Sequence, residues 1–299
     1  MAEGLNNLIE GIRCTGGEVD LRSRPATALG LYDGKKDYKK QLRSAWQRLR
    51  DLQRQLFVDG SQALLIILQG MDTSGKDGII RHVLRAFNPQ GCRVYSFRAP
   101  NAEEQAHDFL WRTSRFLPER GQVSVFNRSH YEEVLVVRVH PELLKGQHLA
   151  SAGVADGSIW DSRYEAIKAS ERHLISSGTR IVKLMLHISP EEQARRLIAR
   201  FSDPAKAWKS DASDIEERRY WDDYVKAYSA CVSATSTPAA PWYVVPADDK
   251  LTARLVVAGI LIETLETMAP ALPQVTEARS AELTDLRERL TRSQMSREV

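Results

Sequence analysis

The arrangement of apolar and polar positions along the chain predicts alternating strands and helices. Residues 63–69, Ala-Leu-Leu-Ile-Ile-Leu-Gln, form a nearly continuous apolar run, which is typical of a strand buried on both faces of a parallel sheet. Four similar segments follow with helical patterns between them, at residues 93–97, 123–126, 181–188 and 242–245. We therefore predict an α/β fold, a three-layer α/β/α arrangement around a five-stranded parallel sheet with right-handed crossovers.

An amphipathic helix is predicted before the first strand. Its apolar positions recur at steps of three and four: Leu42, Trp46, Leu49, Leu52 and Leu56. The other face is basic, because the segment from Lys35 to Arg54 holds eight Lys or Arg and two Asp. This face is either a solvated surface or a ligand contact. Residues 1–36, rich in Gly and charge, predict an irregular arm.

Composition narrows the class of protein. The chain of 299 residues is 42% hydrophobic and 27% charged, which is ordinary for a soluble globular protein. Its apolar runs are too short to span a bilayer, and the first residues lack the zones of a secretory signal. Three widely spaced cysteines fit reduced thiols, so we expect a cytoplasmic protein. A net charge of +3 does not indicate nucleic acid, and we expect neither nucleic-acid nor membrane partners.

The segment Gly70-Met-Asp-Thr-Ser-Gly-Lys-Asp77 directly follows the first predicted strand. It contains the G-x-x-x-x-G-K core of a phosphate-binding loop (P-loop) and precedes a helical pattern, the context that this motif requires. Backbone N–H groups and the helix amino terminus attract phosphate, and Lys76 adds a positive charge. The candidate phosphate-binding residues here are Gly70, Thr73, Ser74, Gly75, Lys76, Asp77 and Gly78.

Two carboxylates in this loop indicate a metal ion. Asp77 stands where a P-loop usually has Ser or Thr, and Asp72 lies inside the loop, where phosphate alone would repel it. Mg²⁺ prefers oxygen ligands and bridges carboxylates to phosphate, so we predict Mg²⁺ with Asp72 as its ligand. Asp77 either shares the metal or stabilises the helix amino terminus electrostatically.

The third predicted strand ends in Asn127 and Arg128. An NTPase normally ends this strand with Asp, whereas the amide of Asn127 orients a phosphate or a metal-bound water without neutralising the metal. Arg128 follows at the carboxyl edge of the sheet, where α/β folds bind ligands, and a guanidinium there stabilises a phosphoryl group in transfer.

These segments resemble the polyphosphate kinase 2 family, whose signature matches the loop from Gly70 to Gly78. The resemblance runs from about Val19 to about Glu263. Further matching blocks follow in order: Ser189-Pro-Glu-Glu-Gln193, Asp203-Pro-x-Lys206-x-Trp208-Lys209, Tyr220-Trp-Asp-Asp-Tyr224 and Trp242-Tyr-Val-Val-Pro-Ala-Asp-Asp-Lys250. The resemblance implies a fold like thymidylate kinase, with Mg²⁺-dependent transfer between inorganic polyphosphate and adenine or guanine nucleotides. It also implies a homodimer or homotetramer.

The resemblance further implies roles for single residues. Asp72 is expected to bind metal, Lys76 to hold phosphate and Arg128 to stabilise the transition state, with Asn127 at a position that is Asp in many relatives. The run Asn-Arg-Ser-His-Tyr-Glu resembles a subgroup that phosphorylates both nucleoside mono- and diphosphates, in which Glu132 is associated with the acceptor nucleotide. His130 is not expected to carry a phosphoryl group, because P-loop enzymes transfer it directly.

Composition and hydrophobic pattern along the chain set the domain boundaries that we predict. Residues 1–60 form the arm and basic helix, 61–269 a P-loop kinase domain, and 270–299 a charged tail or helix. The charged helical stretch at about 190–234 exceeds what a crossover needs, and we predict a lid that closes to exclude water.

A polyanion requires a basic trough. The candidate polyphosphate-binding residues of the lid are Arg196, Arg200, Lys206 and Lys209. For each of them, and for Lys36, Lys39, Lys40 and Arg43 of the basic helix, the alternative is a plain surface charge. Trp208 and Trp221 either stack on a base or pack the lid.

The predicted function is reversible phosphoryl transfer between polyphosphate and AMP or ADP. An ATP-dependent nucleoside monophosphate kinase would share the fold and the lid. A non-catalytic polyphosphate-binding regulator is a further alternative, which the presence of Asp72, Lys76 and Arg128 disfavours.

Overall fold

A six-stranded sheet forms the middle layer of the structure, a computed structural model that describes residues 2–147, 149, 157–205 and 211–295. The strands are β1 (Arg13–Cys14), β2 (Ala63–Gln69), β3 (Cys92–Ser96), β4 (Val123–Asn127), β5 (Thr179–His187) and β6 (Trp242–Pro246), in the order β1-β6-β5-β2-β4-β3. Strands β2 to β6 are parallel, as predicted. The prediction of five strands missed β1, which pairs antiparallel with β6 and is too short for a hydrophobic pattern to reveal.

Helices cover both faces of this sheet. They are α1 (Ala2–Ile12), α2 (Gly34–Asp59), α3 (Lys76–His82), α4 (Ala102–Gln105), α5 (Trp111–Ser114), α6 (Val136–Val139), α7 (Ile159–Ser176), α8 (Pro190–Phe201), α9 (Ser213–Glu217), α10 (Trp221–Thr235), α11 (Lys250–Met268) and α12 (Glu277–Met295). Successive residues of β2 enter opposite cores. Leu64, Ile66 and Leu68 pack with α1, α2, α3 and α11, whereas Leu65 and Ile67 pack with α6, α7 and α10. The predicted three-layer α/β fold is confirmed.

The predicted irregular arm is wrong at its start, where α1 is a regular helix. Its Leu5 and Ile9 pack on α11 at Gly259, where an added Cβ would lie only 2.9 Å from the Ile9 Cδ1 atom. Leu5, Leu8, Ile9 and Ile12 follow the spacing of an amphipathic helix. Burial of this stripe against α11 therefore fixes the helix.

Part of the predicted lid belongs to the core. Val225, Tyr228, Cys231 and Val232 of α10 are buried against the sheet layer, so this helix cannot move as a lid without exposing that core. Arg196 and Leu197 of α8 are buried as well, so a lid role remains a proposal for α9 only. The helix predicted near the carboxyl terminus is present as α12, whose described side chains are all exposed.

None of the helices in the described residues combines the length and apolar character needed to cross a membrane.

Candidate active site

Glycine geometry shapes the P-loop between β2 and α3. Gly70 has a φ of +148°, and a Cβ there would lie 2.6 Å from the Ser74 Oγ atom and 2.8 Å from the Leu186 carbonyl oxygen. Gly75 begins α3 with a φ of +108°, and Thr73 adopts a φ of +58° that is strained for a β-branched residue. The backbone of this tight turn and the first residues of α3 line a cavity of about 570 Å³, which we call the basic cavity. Its lining includes the predicted residues Asp72, Thr73, Ser74, Gly75, Lys76, Asp77 and Gly78.

Lys76 lies in the base of this cavity. Its Nζ donates to the carbonyl oxygens of Gly70 at 2.6 Å and Met71 at 3.1 Å. Burial lowers the pKa of Lys76 to about 8, and repulsion from Arg128 adds to the effect. A desolvated cation among phosphate-facing amides interacts strongly with an anion, because little water screens it.

The oxygen atoms beside the loop fit a Mg²⁺ ion. Asn127 Oδ1 and Ser74 Oγ are buried without a hydrogen-bond partner among the described residues, and Asp72 Oδ2 is buried with only the Arg200 guanidinium at 3.0 Å. The Asn127 Nδ2 atom donates to Asp77 Oδ1 at 3.1 Å, so the amide at the end of β4 lies beside the Asp77 carboxylate. No group of three or more His, Cys, Asp or Glu side chains forms a metal cage in the described part of the chain. Mg²⁺ commonly takes one or two carboxylates and completes its shell with phosphate and water, so this donor set is suitable.

Arg128 lies where two cavities meet. It has a φ of +64°, and its N–H donates to the Leu68 carbonyl oxygen at 3.0 Å, so the strand bends sharply there. Arg128 and Asp72 line both the basic cavity and a second one of about 260 Å³, which we call the aromatic cavity. The guanidinium makes no ion pair with the described residues. It is therefore available to a group that passes between the two cavities.

Glu132, the remaining predicted catalytic residue, lines the aromatic cavity. It lies in the short helix His130–Val134 that follows Arg128. Trp221, Tyr224 and Tyr228 of α10 form the aromatic side of the same cavity. Trp221 also packs against both cores, so part of its ring has the packing role considered above. The other lid candidates Lys206, Trp208 and Lys209 lie outside the described residues.

Arg196 supports the P-loop, and this corrects its predicted role as a polyphosphate ligand. Its Nη1 donates to the carbonyl oxygens of Thr73 and Ser74, both at 2.9 Å, and its Nη2 donates to those of Ala247 and Asp248. Its Nε pairs with Glu192 at 2.5 Å. Every N–H of this buried guanidinium is therefore engaged, and none remains for a phosphate.

Loss of Arg196 should destabilise the protein as well as slow it. We expect Arg196→Met to lower the free energy of unfolding by about 3 kcal/mol, because it leaves buried carbonyl oxygens and Glu192 without their partner. Urea unfolding measures this change. Arg195→Gln is the matched control: its side chain is 74% exposed and also pairs with Glu192, so it should change stability by less than about 1 kcal/mol. Equal stability of the two variants would contradict the supporting role.

Arg200, in contrast, contacts the predicted metal ligand. Its Nη1 lies 3.0 Å from Asp72 Oδ2 and 3.1 Å from Asp214 Oδ2, which links α8 and α9 to the loop. The guanidinium also lines the basic cavity. Arg200 thus lies within reach of a phosphate that Asp72 and its metal would hold.

Two supporting residues were missed by sequence reasoning. The Tyr228 hydroxyl accepts the Gly70 N–H at 3.1 Å, and Gln193 Nε2 donates to the Asp72 carbonyl oxygen at 3.3 Å. Both fix the start of the loop from the side of the aromatic cavity. The apolar spacing of Val225, Tyr228 and Val232 is a signal that could have identified Tyr228 as part of a buried helix face, but no local pattern relates it to Gly70.

His130 is a buried structural residue. It lines neither cavity, and its Nδ1 lies 3.3 Å from the Thr113 Oγ1 atom. Burial lowers the pKa of His130 to about 3, and the nearby Lys183 contributes. This imidazole is therefore separated from both cavities by the residues around it.

The His130 environment predicts acid sensitivity. The folded-state pKa lies below the ordinary value of about 6.5, so the unfolded chain binds more protons and stability falls as pH drops from about 6.5 towards about 3. Between about pH 7 and about pH 5 this site should contribute a loss of about 2 kcal/mol. Urea unfolding of His130→Asn, whose amide can replace the contact with Thr113, should show a smaller loss than the parent protein. An identical pH dependence would contradict the prediction.

Comparisons with known proteins agree with this geometry. The sequence profile described as polyphosphate kinase 2 matches residues 32–273. The chain is 50% identical over 275 residues to an ADP-polyphosphate phosphotransferase of Rhodopseudomonas palustris, covering 92% of this chain and 95% of the relative. It is 44% identical over 228 residues to an AMP/ADP-polyphosphate phosphotransferase of Meiothermus ruber, covering 76% and 81%.

A solved structure agrees as well. The crystal structure of polyphosphate kinase 2 from Arthrobacter aurescens TC1 superposes with a TM-score of 0.84 at 42% identity, covering 94% of this chain and 96% of that one. The family profile spans most of the chain, and the relatives and the solved structure belong with it. This chain is therefore a member of the polyphosphate kinase 2 family.

Proposed function

We propose that the protein transfers phosphoryl groups reversibly between inorganic polyphosphate and AMP or ADP, with Mg²⁺ as cofactor. The observation that carries this proposal is a pair of cavities of opposite character that share Asp72 and Arg128. A phosphoryl group on one side can reach an acceptor on the other side without leaving the protein. Direct in-line displacement needs only this alignment and charge stabilisation, because the chemistry requires no protein nucleophile.

The basic cavity suits polyphosphate. The described residues lining it include eight Lys or Arg and three Asp or Glu, without a Phe, Tyr or Trp. A chain of repeating phosphates presents only negative charge, and it requires cations and backbone N–H groups without base-reading side chains. The P-loop amides and Lys76 would hold the reacting phosphate at the inner end of this cavity.

The aromatic cavity suits the acceptor nucleotide. The described residues lining it include two Arg and four Asp or Glu, together with three aromatic side chains. Aromatic rings stack on a base, and carboxylates accept hydrogen bonds from exocyclic amines or a ribose. Arg128 would contact the nucleotide phosphates, whereas the Arg218 Nη1 atom already donates to Gln193 Oε1 at 2.7 Å and to the Pro190 carbonyl oxygen at 3.2 Å. The excess of carboxylates in this cavity would repel a long polyanion. Charge would therefore direct polyphosphate to the basic cavity and the nucleotide to the aromatic cavity.

Asp72, with Asp77 and Asn127 beside it, would hold Mg²⁺. The ion supplies charge neutralisation for the phosphates as negative charge shifts during transfer. Lys76 and Arg128 of the chain itself would hold the transferring group, and α9 would exclude water as a proposed lid.

Product analysis tests the proposed reaction. Protein, polyphosphate and Mg²⁺ are incubated with AMP, ADP, GMP or GDP in the absence of ATP, and nucleotides are separated by chromatography. We expect ADP and ATP from the adenine acceptors, with GMP and GDP reporting whether guanine is accepted. Product formation from AMP and ATP, with none from polyphosphate, would instead indicate a nucleoside monophosphate kinase.

Self-association and location are proposed as well. We propose a homodimer or homotetramer, supported by the sheet edge at β3, where Val94 is exposed, and by exposed Phe57, which lies beside Gly91 just before that strand. Light scattering in solution measures the assembly.

We propose a cytoplasmic location, where nucleotides are available and the three free cysteines stay reduced.

A further inference from the structure

A row of cations leads from the basic cavity onto the outer face of α2. The outer wall of the cavity includes Arg81 of α3 and Arg254 of α11. Arg254 Nη1 donates to the Tyr38 hydroxyl of α2 at 3.4 Å, so this wall contacts α2 directly. The same α2 helix is also tied to α3, because Trp46 Nε1 donates to the His82 carbonyl oxygen at 2.8 Å.

The cations continue along α2 itself. The Arg85 guanidinium stacks over the Trp46 ring at 4.7 Å. Lys39 and Arg43 precede Trp46 by seven and three residues, so the three side chains share one helix face. Lys39 and Arg43, with Lys36 and Lys40, also line an open depression of about 710 Å³. We call the set Arg81, Arg85, Arg254, Lys39 and Arg43 the basic track.

The charges of the basic track are not neutralised by the protein. Within the described ranges, none of its five members has a carboxylate at ion-pair distance. The nearby Asp37 carboxylate instead accepts the Asp33 N–H at 2.9 Å and Gln41 Nε2 at 2.8 Å. The pKa of His82 is lowered by burial and further by Arg254, Arg81 and Arg85, because all three cations lie close to this imidazole. Such an excess attracts a polyanion over the length of the row.

We propose that the basic track binds the part of a polyphosphate chain that extends beyond the basic cavity, so that the protein binds long chains more tightly than short ones. The inference rests on the proposed function and names a second contact for its substrate. Each additional phosphate that reaches the track adds an ion pair between the polyphosphate chain and the protein. Affinity rises because the cavity and the track bind the same chain, and it stops rising once the chain is long enough to contact the whole track.

Variants of Lys39 and Arg43 test this proposal, because both lie outside the basic cavity. The double variant Lys39→Gln/Arg43→Gln is assayed for ADP phosphorylation with a size-fractionated series of linear polyphosphates. We expect KM for the longest chains to rise about threefold to tenfold, since two exposed cations are lost from a row. KM for the shortest chains and kcat should stay unchanged, and added salt should weaken long-chain binding less than in the parent protein.

Arg172→Gln/Lys226→Gln is the charge-matched control. These exposed residues lie on α7 and α10, in the layer on the other face of the sheet. The control should keep the chain-length dependence of the parent protein. The proposal is overturned if Lys39→Gln/Arg43→Gln retains that dependence, or if the control loses it equally. A parent protein that phosphorylates no nucleotide with any chain length would instead refute the proposed function.

Discussion

Replacing Lys76 with Met should reduce kcat/KM for nucleotide phosphorylation by about a thousandfold, which corresponds to about 4 kcal/mol of transition-state stabilisation. Lys76 Nζ lies in the turn of the P-loop, bonded to the Gly70 and Met71 carbonyl oxygens. Lys76 is the cation that the loop itself contributes to the basic cavity. Met preserves most of the side-chain length but removes the charge and both N–H donors.

The same substitution should change stability only slightly, because two effects oppose each other. Burial depresses the pKa of Lys76 to about 8, which means that the folded protein disfavours the charged amine. Removing that charge relieves this cost but leaves the Gly70 and Met71 carbonyl oxygens without their donor, so the free energy of unfolding should change by less than about 2 kcal/mol in a urea titration. A folded Lys76→Met protein with near-normal turnover would contradict the assigned role. A protein that loses activity together with its fold would show that Lys76 acts through structure.

Replacing Arg128 with Ala should lower kcat by about a thousandfold, with a smaller change in KM for either substrate. The expected size is that of an arginine that stabilises a transferring phosphoryl group. Arg128 lines both cavities and has no ion-pair partner among the described residues, so its guanidinium can follow the group from one side to the other. Steady-state kinetics with polyphosphate and ADP varied separately measure kcat and both KM values.

Arg128→Lys separates charge from geometry. Lysine keeps the charge but not the planar fork that binds two phosphate oxygens, so we expect it to recover only about tenfold of the loss. Full recovery by Lys would show that charge alone matters. A loss confined to KM, with kcat preserved, would place Arg128 in ground-state binding and contradict its role in the transition state.

The sequence was most informative where function depends on local chain geometry. Gly70, Gly75 and Lys76 form a motif that is contiguous in sequence and is followed by α3, so the P-loop could be predicted without tertiary information. Asn127 and Arg128 were predictable for a similar reason, because the carboxyl ends of parallel strands meet at one edge of a sheet.

Long-range contacts explain what the sequence could not reveal. Arg196 and Arg200 are four residues apart on α8 and look alike in sequence, yet one supports the loop and the other contacts Asp72. Their difference depends on where α8 meets the P-loop and the Ala247 carbonyl oxygen. The division between the two cavities likewise depends on how α8 and α10 pack around Gly70, which no local pattern encodes.

Transfer of label from radiolabelled polyphosphate tests the central claim most directly. The protein is mixed with labelled polyphosphate, Mg²⁺ and ADP without ATP, and the reaction is quenched at short times to follow label in nucleotide and in protein. We predict that label enters ATP from the first time points, with none covalently attached to the denatured protein at any time. Label covalently attached to the protein before ATP appears, or no labelled ATP at all, would contradict direct transfer between the two cavities.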